Sequence, residues 1–213
     1  MKSDIYVLII IALIVYISYE RVEKFINTKK ICNDIDKRCY SVSTIYDDPE
    51  KASDMLAKLN KFCIDFMRHL RRKYIWNPNS NIEAIERVKF LLYNYNPDGI
   101  IENVPLNNEG TSYVDDKGRV FAICLREKLS GKNEFHNIED LKFVLIHEMA
   151  HMATKEIGHD KPFWINFKFL LKEAKEAGVY TPRNYEKNPM NYCSLPVNYN
   201  PYFDNILYDI YNK

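Results

Sequence analysis

This chain of 213 residues has little glycine, little histidine and almost no net charge. It contains only 6 glycines and 5 histidines, and its basic and acidic side chains nearly cancel, at a net charge of +1. Because the total charge is close to zero, it gives no reason to expect binding to nucleic acid. The sequence also has no internal repeat and no low-complexity tract. A globular composition of this length predicts one domain with an appendage.

The cysteines are odd in number, and their spacings match no zinc knuckle. Cys63 falls in an amphipathic helical pattern and Cys124 in a strand-like run, so both are predicted to be buried apolar side chains. Cys32 and Cys39 flank a short polar stretch and can pair in an oxidising compartment. The sequence leaves that pairing open, and it leaves Cys193 without an assigned role.

Three of the few histidines fall within one short window. The stretch His147-Glu148-Met149-Ala150-His151 reads H-E-x-x-H, and His159 follows it. Residues four apart share one face of a helix, so the imidazoles of His147 and His151 can bind one Zn²⁺ together. Glu148 lies one residue further round, within reach of a water on that metal. Two nitrogen ligands and a general base are what metal-assisted hydrolysis requires.

The residues around this motif predict a helix. Asn137 can cap the N-terminus, and acidic Glu139 and Asp140 lie in the first turn, where the helix dipole favours them. Gly158 suits a left-handed C-cap that ends the helix and reverses the chain. Apolar residues recur between these ends at helical spacing, namely Leu141, Val144, Leu145 and Met152.

A catalytic zinc site takes three protein ligands and keeps one position for water. His159 is the favoured third ligand, because Gly158 lets the chain fold back to the metal. Glu173 and Glu176 on the next helix are the competing candidates, and Asp160 is a further one. His159 is preferred because both glutamates also fit a solvated helix face.

The N-terminal segment is predicted to be an uncleaved single-pass membrane anchor over residues 1–25. Ile5 to Tyr19 is an apolar run broken only by Ser18. As a helix it spans about 22 Å at 1.5 Å per residue, which is short of the roughly 30 Å hydrocarbon core, so flanking Lys2 and Arg21 are expected to snorkel. A cleaved signal peptide is less favoured, because no small-x-small site follows the run.

Basic residues are more numerous after this segment than before it. The excess favours a catalytic domain on the cytosolic side, with the short N-terminus outside, and the odd cysteine count agrees. Residues 26–48 lack clear periodicity and are predicted to be a tether. Residues 49–213 are then the folded domain.

The folded domain is predicted to be α+β, in the order helix, helix, hairpin, metal helix, helix. Asp48 and Pro49 open an amphipathic helix that ends near Asn77, and a second helix spans Ile82 to Leu92. Val120 to Leu125 pairs with the residues from Thr111 to Val114 as a β-hairpin, giving a small antiparallel sheet packed on the metal helix. The 120–125 strand is the candidate edge for binding an extended peptide.

The later part of the chain continues this pattern. A third strong helix runs from Pro162 to Gly178, with apolar residues on one side. The tail from Thr181 is rich in proline, asparagine and tyrosine. It is predicted to be irregular and to pack over the surface.

These residues resemble the WLM and SprT-like zinc metallopeptidases. Those proteins carry H-E-x-x-H, a downstream histidine and a Phe/Trp pair, which correspond here to His147–His151, Gly158-His159-Asp160 and Phe163-Trp164. The block from Cys124-Leu125-Arg126 to Asn191-Tyr192-Cys193 further resembles the small membrane-anchored WLM-like proteins of large DNA viruses. The resemblance covers roughly the C-terminal half. It implies zinc, a minimal zincin fold, peptidase activity and a viral membrane location.

The resulting expectation is a membrane-anchored zinc-dependent peptidase that acts on a protein or peptide. Zn²⁺ is held by His147, His151 and His159, and Glu148 is the general base. The candidate hydrogen-bond donors that would stabilise the oxyanion are His136, Tyr185 and Tyr192. Some relatives in the resembled families act on DNA-linked proteins, but a membrane anchor and a neutral charge disfavour that role here.

Two other interpretations stay open at this point. The first is a non-catalytic membrane protein with a structural zinc, in which Asp160 or Cys193 closes the site as a fourth ligand. The second is a membrane scaffold whose motif is vestigial, against which the intact Glu148 argues. The sequence indicates neither a specific substrate nor an oligomeric state.

Overall fold

Helices and short strands alternate along the chain in this computed structural model, which describes residues 2–77, 81–103, 111–115, 118–127 and 133–211. The helices are α1 (Lys2–Ile26), α2 (Pro49–Leu70), α3 (Ile82–Asn94), α4 (Ile138–Ala153) and α5 (Lys161–Glu176). The strands are β1 (Thr28–Cys32), β2 (Cys39–Ser43), β3 (Ile100–Glu102), β4 (Tyr113–Asp115), β5 (Val120–Ile123), β6 (Met190–Tyr192) and β7 (Leu195–Val197). The predicted α+β class is confirmed.

The prediction of an N-terminal transmembrane helix is wrong. Among the described residues, no helix combines the length and the apolar character needed to cross a bilayer. The helix α1 has 25 residues, but its apolar run covers only 5–19, and charged residues follow at once. That run is about 22 Å long as a helix, against a hydrocarbon core of roughly 30 Å. The orientation inferred from lysine and arginine assumed a spanning helix, so it loses its basis.

The segment expected to be a tether, residues 26–48, is folded. Strands β1 and β2 pair antiparallel from Thr28 opposite Ser43 to Cys32 opposite Cys39, and a disulfide joins the two cysteines. Tyr40 and Val42 of β2 are buried in the core. The period-2 alternation of β2 extends over only five residues between polar stretches, which is why the sequence pattern did not indicate a strand.

The helix α2 begins at Pro49 as predicted, and its chain continues as a π-helix over Arg71–Ile75. Asp48 occupies the N-cap position but makes no capping hydrogen bond. Its carboxylate instead lies 2.7 Å from Nη1 of Arg126. The buried Arg126, which is distant in sequence, therefore binds the Asp48 carboxylate that the local sequence predicted as the cap of α2.

A three-stranded sheet lies beside the helices, in the order β3-β5-β4. The predicted hairpin is confirmed, because β4 and β5 pair antiparallel. The strand β3 pairs parallel with β5, so the sheet is mixed and the prediction of an antiparallel sheet is wrong. This pairing also makes β5 the central strand. The 120–125 segment is therefore no sheet edge, and within the described sheet the edge beside the histidine motif is β4.

The helix α4 carries the H-E-x-x-H motif and packs against both α3 and α5. The amide of Glu139 donates to the Asn137 side chain at 2.9 Å, as the capping prediction requires. The helix ends at Ala153, five residues before the predicted cap at Gly158. Thr154 has extended backbone there, and Asn166 of α5 donates to the carbonyl of Ala153 at 3.2 Å. A contact from the next helix therefore sets the end of α4.

The C-terminal tail packs on the core and contains a second hairpin. Strands β6 and β7 pair antiparallel around a two-residue turn, Cys193 and Ser194, which have φ values of 48° and 72°. Tyr185, Tyr192 and Ile210 of the tail are buried. The predicted irregular surface tail is therefore wrong in part, because these aromatic and apolar residues complete the core.

Candidate metal centre

Three imidazoles converge beside the sheet. One turn of α4 places His147 and His151 on the same face, and the loop of residues 154–160 brings His159 back to them. The Nε2 atom of His159 lies 3.1 Å from that of His147 and 3.2 Å from that of His151. Gly158, with φ of 101°, permits the reversal, because this left-handed conformation strains residues with a Cβ. The structure thus groups the three histidines that the sequence predicted as ligands.

The arrangement fits a tetrahedral zinc ion. Three nitrogens at about 2.0–2.1 Å from zinc are separated from one another by roughly 3.3 Å, close to the distances between these Nε2 atoms. Burial, with the neighbouring His151 and His159, lowers the pKa of His147 to about 3, and burial with His159 lowers the pKa of His151 to about 4. Both imidazoles are therefore neutral near pH 7, which is the form that binds metal.

The first turn of α5 supports the three imidazoles. The ring centroid of Phe163 lies 4.4 Å from that of His151, 4.6 Å from that of His159 and 4.9 Å from that of His147. Phe163 is fully buried, and Trp164 follows at 6.0 Å from the ring of His159. Because a packed aromatic ring restricts the rotamers of its neighbours, this pair holds the imidazoles in their converging orientation.

Glu148 lies between two clefts next to the histidines. Its side chain is only 5% exposed, and burial raises the pKa of its carboxyl to about 8. The first cleft has a volume of 240 Å³ and the second one of 500 Å³, and both are lined by His147, Glu148 and Leu195. Glu148 therefore borders both clefts.

The walls of the two clefts come from different elements of the fold. The first cleft is largely apolar and lies between α4, α5 and the β6–β7 hairpin. Its apolar walls are Phe143, Val144, Trp164, Phe167, Pro196, Val197 and Tyr199. The second cleft lies between the sheet edge β4 and the histidine loop, and it is lined by Tyr113 and Val114.

The competing third ligands lie elsewhere. Glu173 is fully buried and accepts hydrogen bonds from Lys73 at 2.9 Å and from the hydroxyl of Tyr74 at 2.7 Å. Glu176 is paired with the same Lys73 at 2.6 Å. Both glutamates are therefore engaged by the π-helix that extends α2. In the described parts of the chain, the group of ligand atoms at α4 consists of His147, His151 and His159, without Asp160.

The three candidates for stabilising an oxyanion have other partners. Tyr185 donates to Asp140 at 2.9 Å. Tyr192 lines the first cleft, but its hydroxyl donates to the carbonyl of Cys124 at 2.9 Å. His136 packs on Tyr192, with ring centroids 4.8 Å apart. No oxyanion donor is therefore assigned.

The structure also reveals a group that the sequence did not predict. Cys124, His136 and Cys193 place their ligand atoms within 4.8 Å of one another. The two cysteines, 69 residues apart in the chain, are joined by a disulfide. The prediction that Cys124 is only a buried apolar side chain is therefore wrong, and Cys193 does not close the histidine site as a fourth ligand. Cys63 is free and buried, as its helical pattern indicated.

The known proteins that resemble this chain come from viruses. An uncharacterized protein of Acanthamoeba polyphaga mimivirus is 30% identical over 197 residues, which cover 88% of this chain and 90% of that protein. Another of Invertebrate iridescent virus 6 is 33% identical over 111 residues, covering 50% of this chain and 60% of the relative. A third, of Invertebrate iridescent virus 3, is 32% identical over 96 residues, covering 45% and 57%.

No family model matches the chain, and no solved structure matches it either. The predicted similarity to viral proteins is confirmed by the three relatives. Their printed descriptions assign no activity, so the chemistry of the site has to be argued from its geometry.

Proposed function

We propose that this chain, which belongs to the same viral protein family as the mimivirus protein, is a zinc-dependent peptidase. The observation that carries the proposal is the convergence of three imidazoles beside the buried carboxyl of Glu148, with Nε2 of His159 lying 3.1 Å from that of His147 and 3.2 Å from that of His151. The motif resemblance to WLM and SprT-like metallopeptidases supports it. When bound, zinc supplies a Lewis acid that lowers the pKa of a coordinated water toward about 7.

The protein's own residues then have defined roles. His147, His151 and His159 hold the metal, and Phe163 fixes the orientation of all three rings. Glu148 accepts the proton of the attacking water and later donates it to the leaving amine. Burial raises the pKa of this carboxyl to about 8, and the positive charge of a bound metal ion would lower it again, so that the carboxylate can accept the proton at neutral pH.

The clefts favour an extended peptide as the substrate. Within the described sheet, the edge strand β4 lies beside the second cleft, where an extended peptide can pair with it as an added strand. The apolar first cleft can accept a large apolar side chain next to the scissile bond. We therefore infer a preference for peptides with a large apolar or aromatic residue beside the cleaved bond.

The alternative of a purely structural zinc at this site has weaker support. Structural zinc sites are four-coordinate and closed by protein ligands. Within the described ranges, this group has three ligands and adjoins two clefts. An open position next to a buried glutamate favours catalysis.

Incubating the zinc-loaded full chain with a library of random peptides tests the proposal. Mass spectrometry of the products should show cleavage beside large apolar residues. A chelator should stop the reaction, added zinc should restore it, and zinc-loaded Glu148→Gln should not cleave. The proposal is overturned if the zinc-loaded wild type cleaves nothing, or if the Gln variant cleaves equally well.

A further inference from the structure

Two cysteines and a histidine meet at the turn of the β6–β7 hairpin. Cys124 follows strand β5, His136 precedes α4, and Cys193 lies in the turn itself. Sγ of Cys193 is 3.4 Å from Nε2 of His136, and the two cysteines are only 2% and 3% exposed. Cys124 and His136 are 12 residues apart and Cys193 lies 69 residues after Cys124, and the fold places their donor atoms, of the kinds that zinc prefers, in one buried spot.

The backbone around this spot is well held. The amide of His136 donates to the carbonyl of Leu125 at 2.9 Å, and Arg126 forms an antiparallel bridge with Phe135. His136 is thereby fixed next to Cys124. The carbonyl oxygen of Arg126 lies 3.4 Å from Sγ of Cys124 and 3.5 Å from Sγ of Cys193, which makes it an available fourth donor.

We propose that Cys124, His136 and Cys193 form a second zinc site when the thiols are reduced, and that the disulfide is the metal-free, oxidised form of the same site. Two thiolates and one imidazole are a ligand set that selects zinc over harder cations. The Cα atoms of the two cysteines are 6.4 Å apart, a spacing that a disulfide accommodates. Ligation of both sulfurs to one tetrahedral zinc ion at about 2.3 Å requires the sulfurs to move from bonding distance to roughly 3.8 Å apart.

The interconversion balances with a dithiol as the reductant. The dithiol transfers two electrons and two protons, so that the S–S bond breaks, two thiols form and the dithiol becomes a disulfide. Zinc binding then displaces the two thiol protons to solvent. Either form links the hairpin turn to the end of β5. The wall of the first cleft carried by Leu195 and Val197 is thus held in both states.

The pair Cys32 and Cys39 provides a matched control. It is also a disulfide, but both of its cysteines are exposed. Among the residues whose placement is described, no histidine or carboxylate forms a ligand group with it. Reduction should therefore create two free thiols there, without a metal site.

Cobalt substitution of the full chain tests the proposal. Reduced, Co²⁺-loaded wild type should show the thiolate-to-cobalt charge-transfer absorption in the near ultraviolet, and the oxidised protein should lack it. Zinc content should fall from two ions per chain to one on oxidation. The His147→Ala/His151→Ala variant should keep the thiolate band. A failure of the peptidase proposal is therefore distinguishable from a failure of this one.

The cysteine variants complete the test. Cys32→Ser/Cys39→Ser should retain the thiolate band, whereas Cys124→Ser/Cys193→Ser should lose it. The proposal is overturned if reduced wild type shows no thiolate band, or if the band survives in Cys124→Ser/Cys193→Ser. Should the latter variant not fold, the comparison of reduced with oxidised Cys32→Ser/Cys39→Ser decides the question, because that variant lacks the other reducible pair; absence of the band in its reduced form overturns the proposal.

Discussion

The two groups of metal-ligand side chains differ most in how the chain assembles them. Two of the three histidines lie on one turn of α4, and the third follows His147 by only 12 residues. Cys124 and Cys193 are 69 residues apart, and His136 comes from a third segment. A helix has a fixed period, so its motif can be identified from spacing alone. A site whose ligands come from three segments can be identified only from the folded structure.

Their surroundings differ as well. The histidine group adjoins two clefts, and His159 is exposed, whereas both cysteines are almost fully buried. Catalytic zinc sites keep a position for water, and structural ones are closed by the protein. We therefore propose a catalytic role for the histidine group and a structural role for the cysteine group, which links the β6–β7 hairpin to β5. The following experiments test that division.

The largest effect is expected from removing a histidine ligand. His147→Ala should lose both the zinc of this site and all peptidase activity, because two remaining ligands hold the metal weakly. Zinc content and peptide hydrolysis measure the two losses. Glu176→Ala is the matched control, since this exposed glutamate is paired with Lys73, and it should retain both. Stoichiometric zinc at this site in His147→Ala would contradict the assignment.

Glu148→Gln should separate metal binding from catalysis. Loss of a general base lowers the rate by about 10²–10⁴-fold, while the histidines still hold zinc. The kcat for a cleaved peptide and the zinc content of the variant check this. Glu186→Gln, at an exposed position of the tail, should behave as wild type. An equal loss of kcat in Glu148→Gln and Glu186→Gln would show that the effect is not specific to the site.

The two disulfides should stabilise the oxidised protein unequally. Their sequence separations are 69 residues for Cys124–Cys193 and 7 for Cys32–Cys39. Chain-entropy arguments give about 4 kcal/mol for the longer loop and about 2 kcal/mol for the shorter one. Denaturant unfolding of the two double-serine variants measures the difference in the free energy of unfolding. The reverse order would mean that the buried pair does not hold the hairpin to β5.

The smallest effect is expected at the apolar cleft. Val197→Phe extends a side chain into this cleft and should lower kcat/KM for substrates with a large apolar residue by about tenfold. It should leave zinc content and the Cys124 group unchanged. Ile206→Phe is a suitable control, since Ile206 is 98% exposed. An unchanged preference in Val197→Phe would remove this cleft from the substrate path.

The regions that could be predicted are those where local patterns decide the structure. The amphipathic stripes of α2 and α3, the Asn137 cap of α4 and the antiparallel pairing of β4 with β5 all depend on neighbours a few residues away. In the sequence, the Phe163-Trp164 pair belongs to the family resemblance and to the apolar side of α5. Its packing against the three imidazoles gives it a physical role.

Three of the expectations drawn from local sequence fail because distant residues compete with them. Asp48 fits a helix cap, but the buried Arg126 binds its carboxylate instead. The sequence predicts the strand 120–125 as a sheet edge, but in the structure β3 pairs with its other side. Glu173 was a plausible metal ligand by position, yet Lys73 and Tyr74 engage it. None of these partners lies near its target in the sequence.

The sequence by itself determined the α+β class, the helix that carries H-E-x-x-H and the shared face of His147 and His151, because helical periodicity and turn chemistry act over a few residues. Only the tertiary structure decided that His159 meets those two histidines, that β4 is the edge of the described sheet, and that Cys124, His136 and Cys193 come together. Contacts of this kind depend on how helices and strands pack against one another. Packing is a property of the whole core, and no single segment encodes it.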